Sequence, residues 1–163
     1  MNTVSVSMPR PEGRVAVLAG AALTGVASLL HFAIILGGPE WYRFFGAGER
    51  MARLAARGAA YPAVVTAGIA AILGIWALYG LSGAGVIRRL PLLRLALVLI
   101  AGIYLARGIL GIPAVLLVEH PYALELRGKM TFMILTSAVC IGLGLCYAAG
   151  AALVRRRSTA PQP

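Results

Sequence analysis

Apolar residues fall in four long runs, free of acids and nearly free of bases, at 15–36, 61–81, 92–118 and 130–154. Short segments of Pro, Gly and charge separate them. A hydrocarbon core about 30 Å thick takes about 20 apolar residues in helix, so each run is long enough to cross one. The pattern predicts an all-α integral membrane protein, a transmembrane four-helix bundle forming one domain over 15–154, with tails at 1–14 and 155–163. The first run follows Arg10 and Arg14 as a signal peptide would. It is longer than a signal core of about 7–15 residues and meets no small-x-small site before Gly37-Gly38-Pro39, so it reads as a retained helix.

Between the first two runs, Pro39 and Glu40 open the segment 39–57 as a helix would open. At about 100° per residue, Arg43, Arg50, Arg53 and Arg57 gather on one arc, with Trp41, Phe44, Phe45, Met51 and Ala55 opposite. This predicts an interfacial amphipathic helix in the first outer loop, its apolar face in the headgroup boundary, serving as an anchor or as a lid over the bundle. Trp41, Tyr42 and the four arginines are its expected membrane-interface residues. Gly46 and Gly48 are where such a helix would break.

Composition narrows the class. Of 163 residues, 60% are hydrophobic and 12% charged, and the mean hydropathy is +0.88, which excludes a soluble globular domain and a disordered chain. The net charge is +10, yet the arginines sit between apolar runs instead of along one polar face, so they read as topology signals and not as a nucleic-acid surface. Arg10, Arg14, Arg88, Arg89, Arg94, Arg155, Arg156 and Arg157 fall on one side, and Arg43, Arg50, Arg53, Arg57, Arg127 and Lys129 on the other. The balance favours cytoplasmic N- and C-termini. Trp41, Tyr42, Tyr61 and Tyr122 would mark the outer interface, and Trp76, Tyr79 and Tyr147 the inner one. Much Ala, Gly and Arg with almost no Lys, Asn or Gln suits a bacterium with a GC-rich genome.

Arg107 stands deep in the third run. Its insertion cost of about 2.5–3.5 kcal/mol is offset by the surrounding Leu, Ile and Val at about 0.3–0.6 kcal/mol each, so the helix still enters the membrane. The guanidinium should face the bundle interior, a watery cavity, or the outer surface by snorkelling. His31 lies at a similar depth, closing a stripe with Gly20, Thr24, Ala27 and Ser28, and Thr66, Thr131, Thr136 and Ser137 fall in the same outer half. Hydroxyls commonly bond back to their own helix, and small-polar stripes commonly serve packing. Together with Tyr104, these residues outline an outer-half ligand site of Arg107, His31, Tyr104, Thr136 and Ser137, with Glu119 as the acid that could pair with Arg107.

Other chemistries lack residues. Cys140 and Cys146, six apart on one helix, cannot form a disulfide, and no C-x-x-C is present. His31 and His120 lack metal or haem spacing, so no cofactor and no metal are expected. Hydrolase and nucleotide motifs are missing, as is an acid within a run for proton coupling.

The stretch from His31 through Gly37-Gly38-Pro39-Glu40-Trp41-Tyr42-Arg43-Phe44-Phe45-Gly46-Ala47-Gly48-Glu49, together with Tyr79-Gly80-Leu81-Ser82-Gly83-Ala84-Gly85-Val86-Ile87-Arg88-Arg89-Leu90-Pro91, resembles a group of small four-span inner-membrane proteins of bacteria. The resemblance implies four helices in the inner membrane and transfers no activity. The expectation is a non-enzymatic protein that binds, senses or passes a small or lipid-like, anionic molecule. The alternatives are an accessory or assembly subunit of a larger membrane complex and a membrane enzyme acting on lipid or quinone. Expected partners are the lipid bilayer, such a ligand, and either a second copy or another membrane protein meeting Gly and Ala faces.

Overall fold

The computed structural model describes residues 11–159 as six helices: α1 (Pro11–Phe44), α2 (Glu49–Ala56), α3 (Ala60–Ala84), α4 (Leu93–Leu117), α5 (Pro121–Arg127) and α6 (Met130–Thr159). Most of the two expected tails, 1–10 and 160–163, lies outside the described residues. Helices α1, α3, α4 and α6 are long and apolar enough to span a membrane, making this a multi-pass membrane protein in contact with a bilayer. Leu29, Val64, Leu110 and Leu135 point outward, as suits an apolar solvent. The short helices α2 and α5 sit together at what we term the cap end; the loop 85–92 lies at the opposite, tail end.

The bundle consists of two close pairs, α1 with α3 and α4 with α6, joined where α1 lies against α6; α3 and α4 touch little. Without a hydrophobic force between helices in lipid, small residues allow the close approach. A Cβ at Gly80 would come within 2.7 Å of the Ala21 Cβ, and one at Gly144 within 2.6 Å of Leu105. Tyr104 stacks on Tyr147, ring centres 5.9 Å apart, and meets the Trp76 ring edge-on at 5.2 Å. Tyr147 is fully buried and donates to Trp76 O at 3.0 Å, so it belongs to the core and not to the inner interface where the sequence pattern placed it.

The expected helix over 39–57 is divided. Gly38, in the left-handed region at φ 69°, turns α1 just before Pro39, whose ring cannot continue a straight helix. A tight turn at Gly46 (φ 75°) and Gly48 (φ 92°) then separates α1 from α2. The apolar face of α2 packs on the protein: Ala52 is fully buried against Ile34 and Tyr42, and Tyr42 is buried instead of exposed at an interface. Arg50, Arg53 and Arg57 are exposed, and Trp41 and Phe44 remain on the surface. The two glycines make the difference, since the bend they create folds α2 back over α1. Helix α5 lies in a segment that the apolar pattern leaves as a connection; Pro121 opens it, and His120 caps it by accepting from Tyr122 N through Nδ1 at 3.2 Å.

Candidate functional site

The candidate residues do not converge in one interior pocket. Tyr104 is buried in the core, where its hydroxyl lies 3.2 Å from Thr24 Oγ1. His31 donates from Nδ1 to Ala27 O, 2.7 Å away on its own helix. Thr136 bonds back to Phe132 O and Met133 O. Ser28 crosses from α1 to Ala70 O of α3 at 2.7 Å. Each of these groups is satisfied by the bundle. Glu119 is exposed beyond the end of α4 and makes no ion pair with Arg107.

Two candidates do come together. Arg107 is exposed at the edge of the α4–α6 seam, and its guanidinium lies over Gly111, one turn further along α4, in the space that a side chain there would need. Ser137 Oγ borders the same notch, 3.4 Å from where a Gly111 Cβ would stand. Ser137 is buried, and its hydroxyl has no hydrogen-bond partner among the described residues. Arg107 likewise has neither an ion pair nor a hydrogen bond among the described residues. The guanidinium is level with Gly111, about 9 Å of helix short of Leu117. The site is thus a cation and a hydroxyl beside a one-residue notch on the exposed edge of the α4–α6 seam, nearer the cap end. Comparison with known proteins finds no family model, curated relative or solved structure that matches this chain.

The cap above the site is a polar clasp between the two loops, which sequence reasoning missed because its partners are far apart in the chain. Arg43 grips Glu49 with two bonds, Nε to Oε2 at 2.9 Å and Nη2 to Oε1 at 3.2 Å, and also pairs with Glu40. Glu49 N donates to Glu125 Oε2 at 2.8 Å, Tyr122 OH donates to Gly46 O at 2.8 Å, and Lys129 Nζ donates to Arg43 O. Burial pushes the Tyr122 phenol up; the charge of Arg107, below it, opposes that shift. The bond from Arg43 holds the Glu49 carboxyl below its usual range, with desolvation opposing and the charges of Arg43 and Arg53 adding to the lowering.

A depressed carboxyl stabilises the folded form above its ordinary pKa, and that contribution is lost as pH falls through the depressed value. Hydrogen exchange at Ala47–Ala52, corrected for intrinsic rates, should therefore be flat from about pH 8 to 5 and accelerate below about pH 4. In Arg43→Gln the faster exchange should be present at every pH. A wild-type profile with no acid limb would refute this account of the clasp.

Proposed function

We propose that this protein is a non-enzymatic binder of an anionic amphiphile, whose carboxylate or phosphate head meets Arg107 and Ser137 at the α4–α6 seam. The observation that carries this reading is a guanidinium on a spanning helix with no acid paired to it among the described residues, beside a buried hydroxyl with no partner among them. A charge within a span is costly unless something pairs with it, and an anionic head with its tail in the bilayer supplies both the charge and an apolar surround. Binding fits better than passage, because Thr24, Tyr104 and Tyr147 fill the middle of the bundle. The inner membrane of a bacterium, with cytoplasmic termini and the cap outside, is our placement from the arginine distribution and the resemblance. The seam position also suits an accessory subunit, in which an acid on a partner helix would meet Arg107.

Native mass spectrometry from mild detergent tests the proposal. A discrete acidic adduct should be retained by the wild type and bind at least about ten-fold more weakly in Arg107→Ala, with a smaller loss in Ser137→Ala. A co-purifying protein lost in Arg107→Ala would replace this reading with the subunit one. Bare protein in every sample would overturn both.

A further inference from the structure

The weak contact between α3 and α4 leaves an apolar groove open at the tail end. The rings of Trp76 and Tyr104 wedge between the two helices, and outside them Ile75, Tyr79, Leu99 and Ile103 line a furrow of about 290 Å³. It begins at Leu92, just before α4, and continues along the helix from Leu95 to Ile103, about 12 Å at 1.5 Å per residue. Leu92 and Leu95 also line a wider cleft of about 840 Å³ that carries Arg89 and Arg94. The furrow therefore opens onto a basic surface.

That surface is held in place. Ser82 Oγ donates to Arg88 O and accepts from Leu90 N, both at 3.0 Å, and Tyr79 OH donates to Pro91 O at 3.3 Å. Between the two clefts Leu92 is 75% exposed with a left-handed backbone, φ 51°, so a bulky apolar side chain projects between furrow and arginines. Arg88, Arg89, Arg94 and Arg155 are exposed at this end, and the acid among its described residues is Glu12 on α1.

We propose that an anionic phospholipid binds here, one acyl chain lying in the α3–α4 furrow and its phosphate against Arg94 and Arg89. The furrow alone would accept any acyl chain, and the arginines supply the preference for negative charge. The site lies at the opposite end of the bundle from Arg107 and stands independently of it.

The chain has two tryptophans, so Trp41→Phe leaves Trp76, at the furrow, as the sole reporter. The protein is reconstituted in phosphatidylcholine vesicles containing either brominated phosphatidylglycerol or brominated phosphatidylcholine. We expect half-quenching of Trp76 at a mole fraction about five-fold lower for the brominated anionic lipid. Arg94→Ala, which removes an exposed side chain and leaves Arg89, should narrow the gap between the two curves; Arg94→Lys should preserve it. Equal quenching by both lipids, or a preference unchanged in Arg94→Ala, would overturn the proposal. So would an absence of quenching by either lipid, which would mean that protein, such as a second copy, covers the furrow.

Discussion

Gly108→Ala should cost this protein about 2 kcal/mol of stability, the range of overpacking in a tight core. A Cβ at Gly108 would stand 2.6 Å from Ile141 Cγ1, 2.9 Å from Ser137 O and 3.0 Å from Ile141 N. Two of those three atoms are backbone of α6, which cannot rotate aside as a flexible side chain would. The α4–α6 pair must separate, and the separation falls beside Ser137 and Arg107, so adduct retention should weaken together with stability. Gly102, on the same helix, has open space where its Cβ would be. Gly102→Ala should leave the melting curve in detergent unchanged or slightly raised. Equal melting of the two variants would show that the seam is looser than its geometry indicates.

Arg127→Ala is expected to be comparably damaging. Arg127 reaches from α5 to the end of α4, donating from Nε to Val115 O at 2.9 Å and from Nη2 to Leu116 O at 2.8 Å and Val118 O at 3.5 Å. The last carbonyls of a helix lack intrahelical donors, and the negative end of its dipole favours a cation. Pro113 inside α4 has already removed one amide from that end. Charge-assisted bonds contribute about 1.5–3 kcal/mol at their strongest, and the partial exposure of these lowers the expected loss to about 2 kcal/mol. Exchange at Val115–Val118 should rise more than exchange in the middle of α4. Arg127→Lys should restore only part of the loss, because an ammonium cannot present the planar fork that spans several carbonyls. Exchange in Arg127→Ala that rises uniformly along α4 would argue against a local cap.

Much was legible in the sequence because a bilayer imposes simple requirements. The number of spans follows from the length of apolar helix that crosses about 30 Å, and each of the four runs lies in a long apolar helix, α1, α3, α4 or α6, with α1 continuing through the turn at Gly38 to Phe44. The break in the first loop was marked by Gly46 and Gly48, and the place of Arg107 along its helix followed from its place in its run.

Rotation about each helix axis was not legible. The spanning helices are apolar nearly all round, so hydropathy alone does not say which face meets a neighbour and which meets lipid. Only tertiary packing placed Tyr147 in the core, turned His31 and Thr136 back on their own helices, and brought Arg107 to the exposed edge of the bundle next to Ser137. The clasp joining Arg43, Glu49, Tyr122, Glu125 and Lys129 likewise depends on groups about 80 residues apart. Local pattern determined the spanning elements and missed α5 and the division of the first loop between α1 and α2. Helix orientation and cross-chain pairing were decided by close packing at small residues, which a single-chain pattern does not encode.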